Sequence, residues 1–323
     1  MTRASFVLLA ALASTGCSGE SVGVVRMPIE SGVIDTEDRA VVAVARTGEG
    51  LCSGTLVAPR AVLTARHCVA DLLRTSPSGG VVCGQTQFAA PASPGSFGVS
   101  ASLDIRAVDV EWRGVTGVLV PEVDEFCGGD LAVLVLAESS ATAPLQWRVD
   151  EPVSAGETYA AVGYGGTDES AKEYGIRRRR DALLVECVGA TCATTSVVPT
   201  EWLGPEGTCA GDSGGPALDA ASRVMGVVSR ALDGCKTIVY SAPSDHAQWL
   251  AAAVGSIDDE GPEERIEAHG GCGMTGAQAG RVPCNALALA LAVVTACRSW
   301  ARRRSDRSRR RTCLRNCSRN TSR

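Results

Sequence analysis

The sequence feature that most constrains this chain is the segment of residues 207–216, which reads GTCAGDSGGP. Its glycines permit the tight backbone turns that direct N–H groups into a cavity. A serine hydroxyl beside such donors suits acyl transfer, because backbone amides stabilise the oxyanion formed when the nucleophile attacks. A glycine-rich turn with an incidental serine is the structural alternative. We therefore interpret Ser213 as a nucleophile, which requires a general base and a carboxylate elsewhere in the chain.

Only one of the three histidines lies in a context that suits a general base. His269 lies in a segment rich in glycine and glutamate, and His246 lies in a predicted C-terminal helix. His67 follows two β-rich runs that are typical of a hairpin, and it precedes Cys68, which can form a disulfide with Cys52. A lone histidine is usually a surface or core residue, but this flanking disulfide favours a functional role for His67.

The third group should be a buried carboxylate that orients the imidazole and stabilises its charged form. Asp130 begins a continuous apolar run that is typical of a buried strand. An unpaired charge there would be costly, and a histidine partner removes that cost. Aspartate also begins strands as an ordinary turn residue. Its place in the chain, after His67 and before Ser213, favours the functional interpretation.

The order His67, Asp130, Ser213, with these local sequences, resembles that of the chymotrypsin-like serine proteases of the trypsin family. Unrelated proteases with the same three residues use a different order in the chain. The resemblance covers residues 29–256, the predicted protease domain. Beside the three site segments, the matches are residues 162–165 (VGYG), 226–229 (GVVS) and 239–241 (VYS), and the terminal helix with Trp249.

The resemblance implies an all-β fold of two antiparallel six-stranded β-barrels and a C-terminal helix, with the site in the cleft between the barrels. His67 and Asp130 would come from the first barrel and Ser213 from the second. The composition agrees, because short β-rich runs and glycine-rich turns dominate the chain before residue 244.

The resemblance also implies a role for each site residue. Ser213 would be the nucleophile, His67 the general acid and base, and Asp130 its orienting carboxylate. The backbone N–H groups of Gly211 and Ser213 would form the oxyanion hole. Ser229 corresponds to the family's serine beside the aspartate, on the strand that pairs with substrate.

The predicted substrate pocket is bounded by Gly207, Ser229, Ala231 and Ile238. Gly207 stands at the pocket floor, where an acidic residue would select arginine or lysine. Ala231 and Ile238 stand at wall positions where glycines would admit large rings, so we expect small apolar residues before the scissile bond. Arg230 replaces the family's usual tryptophan, and we expect it either to favour acidic substrate groups or to face solvent.

Activation in the family uses a newly cleaved N-terminus that pairs with the aspartate before the nucleophile, here Asp212. Residues 29–32 read IESG, a degenerate match to the usual IVGG, and the preceding Pro28 is an unusual residue to cleave after. We expect Ile29 to become the new N-terminus. The alternative is that the chain is cleaved at another position and that a different group pairs with the Asp212 carboxylate.

Residues 1–16 are typical of a signal peptide, and Gly16 before Cys17 indicates a bacterial lipoprotein signal with Cys17 lipidated. Ordinary cleavage nearby is the alternative, because Ser14 stands where such signals usually have leucine. Residues 17–28 would form a propeptide or linker. Export permits disulfides.

The cysteines are better explained as disulfides than as metal ligands. Cys52–Cys68 and Cys209–Cys235 resemble bridges of the family, whereas Cys83–Cys127 and Cys187–Cys192 follow only by elimination. We expect no metal site and no cofactor.

The C-terminal region differs in composition from the rest. Residues 257–284 are predicted to be a linker with a cysteine motif, and residues 285–323 combine a short apolar run with an arginine-rich end. From Arg298 onward there are eleven arginines and one aspartate. This pattern resembles the C-terminal surface-sorting tails of myxobacteria-type proteins. Its apolar run is shorter than the ~20 residues of a membrane helix, and its basic block would stay on the cytoplasmic side.

These observations predict an exported, monomeric serine endopeptidase that cleaves proteins or peptides through an acyl-enzyme. We expect it at the bacterial cell envelope or surface, held by lipidated Cys17 or by the tail, or released. Nucleic-acid binding is disfavoured, because the predicted domain is acidic and the basic tail has few aromatic residues. The arginine run at 177–180 is expected to be a solvated hairpin edge. The alternatives are a catalytically silent binding protein on the same fold and an esterase.

Overall fold

The computed structural model describes residues 32–77, 79–166, 174–232 and 235–259. This described part contains sixteen β-strands followed by one α-helix, α1 (Ala247–Asp259). The strands are β1 (Val33–Ile34), β2 (Val41–Arg46), β3 (Leu51–Ala58), β4 (Ala61–Thr64), β5 (Ala70–Leu73), β6 (Gln87–Pro91), β7 (Phe97–Ser100), β8 (Arg113–Leu119), β9 (Ala132–Leu136), β10 (Thr158–Gly163), β11 (Arg178–Leu184), β12 (Cys187–Val188), β13 (Glu201–Pro205), β14 (Pro216–Leu218), β15 (Val224–Ala231) and β16 (Thr237–Ser241). The predicted all-β class with a C-terminal helix is therefore confirmed.

The first half forms a closed antiparallel barrel with the strand order β2-β3-β4-β9-β8-β7. Strands β4 and β9 are buried along their whole length, as their continuous apolar runs predict. Their register pairs Thr64 with Ala132, so the segments just outside these two residues lie side by side. Helix α1 packs against β9 through its apolar face, which includes Leu250 and Val254. This half contributes the candidate base and carboxylate.

The second half is an eight-stranded antiparallel sheet with the order β1-β11-β10-β14-β15-β16-β13-β12. Among the described residues, closure into a barrel is seen only in the first half, and the short strands β1 and β12 lie at the two edges of this sheet. The sheet curls around an aromatic core in which the Trp202 ring stacks on Tyr240 at 4.1 Å and meets Tyr159 edge-on at 5.0 Å. β1 is N-terminal, so the start of the described chain is fixed to this half.

Four disulfides join the described cysteines as predicted: Cys52–Cys68, Cys83–Cys127, Cys187–Cys192 and Cys209–Cys235. The first ties β3 to the short turn that carries His67. Within the described residues, no helix is long and apolar enough to cross a membrane.

The arginine run at 177–180 is not the solvated edge that its charge predicted. Arg177 and Arg178 are buried beneath β1, which pairs with β11. Arg177 forms an ion pair with buried Asp35 at 3.1 Å and donates to the hydroxyl of Tyr164 at 3.1 Å. Because a partner charge from a distant part of the chain compensates the guanidinium, burial becomes possible.

Candidate active site

The ends of β4 and β9 bring His67 and Asp130 into direct contact. His67 Nδ1 lies 2.8 Å from Asp130 Oδ2, and the His67 backbone N–H donates to Asp130 Oδ1 at 2.9 Å. The Ser229 hydroxyl, which projects from β15, donates to Asp130 Oδ2 at 2.6 Å. Asp130 is fully buried, whereas the His67 side chain remains 20% exposed. The carboxylate therefore holds the imidazole from behind and leaves its other nitrogen accessible.

The two titratable groups shift each other's pKa in opposite directions. Burial lowers the pKa of His67, but the charge and hydrogen bond of Asp130 outweigh burial, and the pKa rises above its ordinary value. Burial raises the pKa of Asp130, but the charge of His67 and the bonds from His67 and Ser229 lower it. Asp130 thus stays ionised, favours a proton on Nδ1 and leaves Nε2 as the base.

The segment of residues 207–216 carries Ser213 to the end of β4. The Ser213 carbonyl accepts the Ser53 N–H at 2.8 Å, and the Gly214 N–H donates to the Val228 carbonyl at 2.8 Å. A Cβ at Gly214 would overlap Thr64 Oγ1, so only glycine permits this approach. Among the described residues the Ser213 hydroxyl has no hydrogen-bond partner; such bonds are often long in substrate-free sites.

Two peptide planes beside Ser213 are fixed by hydrogen bonds on their far sides. The Ala210 carbonyl accepts the Gly166 N–H at 2.8 Å, and the Asp212 carbonyl accepts the Gly215 N–H at 2.8 Å. In a trans peptide the N–H points opposite to the carbonyl. The N–H groups of Gly211 and Ser213 therefore point away from these bonds, and neither has an acceptor among the described residues.

Asp212 is fully buried behind the Ser213 loop. Its carboxylate accepts the N–H of Gly165 at 2.8 Å and the N–H of Cys209 at 2.9 Å. Burial raises its pKa to about 7, against these two bonds and the charge of Arg178. None of the ion pairs between described residues includes Asp212. The described residues of the second half thus place no ion-pair partner beside this buried carboxyl group.

A cavity of about 450 Å³ opens beside Ser213. Two of the predicted pocket residues, Ala231 and Ile238, are among its lining residues. Gly207 is buried but lies outside this lining, where a Cβ would be 3.0 Å from Leu183 Cδ1. Ser229 also lies outside the lining, because its hydroxyl faces Asp130. The lining includes Thr208, which the sequence analysis did not name although it adjoins Gly207.

Arg230 also lines the cavity beside Ser213, but it does not face solvent. Its side chain is buried and forms a bidentate ion pair with Glu201, with both nitrogen–oxygen distances at 2.8 Å. The expectation that Arg230 faces solvent is therefore wrong, and Glu201 compensates its charge. Sequence analysis did not identify Glu201, because no motif in the neighbouring residues predicts its role.

Arg66, which precedes His67 in the chain, is also buried. It donates to the carbonyls of Pro121 and Val123 and forms a 3.0 Å ion pair with Asp124. Its guanidinium lies 4.6 Å from the centre of the Phe88 ring. Arg66 therefore anchors the loop that precedes Asp130.

A second cavity, of about 460 Å³, lies on the other side of Gly211. Leu51, Trp112 and Tyr174 are among its lining residues. Ala210 lines both cavities, so the two flank the Ser213 loop.

One group of potential metal ligands occurs in the described part of the chain, formed by Cys52, His67 and Cys68. The two cysteines are joined in a disulfide, so neither offers a thiolate. His67 directs Nδ1 to Asp130. The residues of this group are committed to other bonds.

Several predicted features lie outside the described residues. They are the signal peptide and Cys17, the proposed N-terminus Ile29, and the tail beyond residue 259. Helix α1 ends at Asp259, three residues beyond the predicted domain boundary at 256.

Known proteins share this architecture. The trypsin family model matches residues 32–250. Serine protease SP24D of Anopheles gambiae is 28% identical over 219 residues, 65% of this chain and 74% of the relative. A trypsin of Saccharopolyspora erythraea is 29% identical over 206 residues, 60% of this chain and 81% of the relative. Human heparin binding protein superposes with a TM-score of 0.53 at 17% identity, covering 70% of this chain and 96% of that protein.

A closed six-stranded barrel, a second curled β-sheet and a single short helix at the end of the described part define a chymotrypsin-like fold. With two thirds of its length matched, this chain belongs to the trypsin family. It is a serine-type endopeptidase, a hydrolase.

Proposed function

We propose that this protein hydrolyses peptide bonds through an acyl-enzyme on Ser213, with His67 as general acid and base. The observation that carries the proposal is the bonding of His67 to a buried, doubly hydrogen-bonded Asp130 at the edge of the Ser213 loop. Such an arrangement activates a hydroxyl that is otherwise a weak nucleophile.

In acylation, Ser213 Oγ forms a bond to the substrate carbonyl carbon while His67 Nε2 accepts the hydroxyl proton. The carbonyl oxygen becomes an oxyanion, and the free N–H groups of Gly211 and Ser213 stabilise it. The C–N bond then breaks, and His67 donates its proton to the leaving amine. In deacylation, a water molecule attacks the acyl carbon while His67 accepts its proton. The ester bond to Ser213 Oγ then breaks, His67 returns the proton to Ser213 Oγ, and the carboxylic acid is released.

The preference for small apolar residues before the scissile bond draws support from the cavity beside Ser213. The described lining residues include Arg230 and no carboxylate, so a basic substrate side chain would lose water without gaining a counter-charge from them. Ala231 and Ile238 place methyl and branched side chains on the walls. The second cavity, beyond Gly211, offers room for residues after the scissile bond, which favours peptide over simple ester substrates.

Activation by a new N-terminus at Ile29 draws support from the sheet register. Ile34 pairs with Arg178, and Arg178 pairs on its other side with Gly163, whose Cα borders the Asp212 carboxylate. Two strand spacings, about 10 Å, therefore separate Ile34 from Asp212. The five residues from Ile29 to Ile34 can span about 17 Å. A free amino group on Ile29 can thus reach the unpaired carboxyl group.

Export is proposed from the signal-like N-terminus and is consistent with the four disulfides, which form in oxidising compartments. Retention at the envelope would depend on lipidated Cys17 or on the C-terminal tail. Cleavage before Ile29 would separate the protease from Cys17, so the cleaved form should then depend on the tail. All three catalytic groups come from one chain, which agrees with a monomer.

The test is cleavage of a peptide library by the full chain bearing a free Ile29, with Ser213→Ala as the matched control. Mass spectrometry of the products should show cuts after small apolar residues with the parent protein and none with the variant. Cuts after arginine or lysine would contradict the proposed pocket. No cuts by a folded parent protein would favour the catalytically silent binding protein.

A further inference from the structure

A buried ion pair extends the hydrogen-bonded chain of the candidate triad beyond Ser229. Arg230 Nη1 and Nη2 donate to the two carboxylate oxygens of Glu201 at 2.8 Å each. Glu201 is fully buried, and the Arg230 side chain is 8% exposed. Bidentate geometry of this kind fixes the plane of the guanidinium.

The guanidinium also contacts the residue that supports Asp130. Arg230 Nη1 donates to Ser229 Oγ at 3.2 Å. Arginine has no acceptor, so the Ser229 proton must point elsewhere, and Asp130 Oδ2 accepts it at 2.6 Å. Arg230 therefore orients and polarises the hydroxyl that bonds the carboxylate.

Glu201 acts on the same site from a second direction. Its Oε1 accepts the N–H of Gly128 at 3.0 Å, and its Oε2 accepts the N–H of Val198 at 3.1 Å. Gly128 has φ +83°, and a side chain there would meet Thr200 and Val198. The turn at Gly128 comes two residues before Asp130, so Glu201 helps to fix the position from which Asp130 enters the site.

The Arg230–Glu201 pair interacts electrostatically with the His67 imidazole. The charges that face His67 are Asp130 and Arg230. Glu201 in turn faces Arg230 and His246, while the Cys83–Cys127 disulfide beside the guanidinium does not titrate. The Phe126 ring packs near both sites, 6.0 Å from the His67 ring and 5.5 Å from the Arg230 guanidinium. Removal of either charge of the pair should therefore change how readily His67 accepts a proton.

We propose that Arg230 and Glu201 are positioning residues of the active site, which orient Ser229 and the Asp130 turn and balance the charge behind His67. This inference rests on the proposed function. It predicts that loss of one member moves the pKa of His67 in a direction set by the charge that remains. A purely structural ion pair would leave that pKa unchanged.

The experiment measures the pKa of His67 by NMR titration of the full chain in a Ser213→Ala background, with the resonance identified by its loss in His67→Ala. Glu201→Gln leaves the guanidinium uncompensated and should lower the pKa by about one unit. Arg230→Met removes a positive charge that faces His67 and leaves the Glu201 carboxylate uncompensated, so it should raise the pKa, and the double variant should return it toward the parent value. The matched control is Glu157→Gln, which breaks the Arg148–Glu157 pair elsewhere in the second half and should not shift it.

Kinetic measurements on variants at the same two positions, with Ser213 restored, separate the effect of hydrogen-bond geometry from the effect of charge. Arg230→Lys keeps the charge but cannot bond Glu201 and Ser229 in the same fork, so kcat should fall about tenfold with KM nearly unchanged. Arg230→Lys also tests the proposal if Glu201→Gln does not fold. If Arg230→Lys loses kcat while the acidic limb of its pH–rate profile stays where it is in the parent protein, the positioning role is supported. A rise in KM alone contradicts the positioning role.

The outcomes distinguish the two proposals. If the parent protein cleaves peptides but the pKa of His67 is the same in Glu201→Gln and Glu157→Gln, this inference is wrong and the proposed function stands. If the parent protein cleaves nothing, the proposed function fails, while the NMR titration still decides whether the pair controls His67.

Discussion

The two halves of the molecule contribute to the site in different states of completion. In the first barrel, His67 and Asp130 are already bonded to each other, and the carboxylate also accepts the Ser229 hydroxyl from β15 of the second half. In the second half, the Ser213 loop is supported by Asp212, whose carboxyl group is buried without an ion-pair partner among the described residues. Under the proposed activation, folding alone builds the base, whereas the nucleophile loop would depend on the charge of the new N-terminus.

The largest expected effect tests whether the two halves act as one catalytic unit. Ser213→Ala should reduce kcat by about 10⁶-fold, and adding His67→Ala should cost little more, because neither group works without the other. Steady-state kinetics on the single and double variants measure this. Additive losses would show that the halves act separately. Circular dichroism should show unchanged folding.

Asp130→Asn tests the first barrel alone. An amide in place of the carboxylate would favour the wrong imidazole tautomer, so kcat should fall by about 10⁴-fold while KM changes little. Asp181→Asn, which alters an exposed ion pair of Arg179, is the matched control and should retain activity within about twofold. A loss of less than tenfold for Asp130→Asn would contradict the assigned role.

Asp212→Asn tests the second half and has opposite effects before and after cleavage. In the uncleaved chain the pKa of about 7 lies above the ordinary value of 3.8. Folding therefore favours the protonated acid, and stability is lost as pH rises from about 4 to 7. The neutral amide should remove this loss, raising the free energy of unfolding at pH 8 by at most roughly 4 kcal/mol and leaving it unchanged at pH 4.

In the cleaved protein the same substitution should abolish the gain in activity that follows cleavage, because the new amino group loses its partner. Chemical denaturation at the two pH values and peptide hydrolysis after cleavage measure the two effects. Equal stability of parent and variant at pH 8 would show that Asp212 already has a counter-charge.

The smallest effect concerns substrate choice in the second half. Ile238→Ala should raise kcat/KM for phenylalanine relative to alanine before the scissile bond by about tenfold, because it widens the pocket. Val239→Ala is the matched control. Val239 follows Ile238 on β16 but faces another part of the core, so it should lower stability without changing specificity. If Ile238→Ala leaves the ratio of kcat/KM for phenylalanine over alanine unchanged, Ile238 does not shape the substrate pocket.

Sequence reasoning succeeded where short segments carry the information. The apolar runs of β4 and β9 and the cysteine pairing are local or familiar patterns, and the structure contains them. It failed where a polar group is buried by a distant partner. Arg230 is matched by Glu201, 29 residues earlier, and Arg177 by Asp35, 142 residues earlier. Neither carboxylate carries any mark in the sequence, so both arginines were expected to face solvent or substrate.

The most direct test of the central claim compares the labelling of Ser213 by a fluorophosphonate probe before and after cleavage at Ile29. The full chain would carry an enteropeptidase recognition sequence in place of residues 24–28, so that one protein gives both forms. Ser213→Ala controls for non-specific reaction. We expect rapid labelling only after cleavage, with the assembled His67–Asp130 pair unable to act alone in the uncleaved chain. Equal labelling of both forms would contradict the account, since the nucleophile loop would then be complete without the new N-terminus.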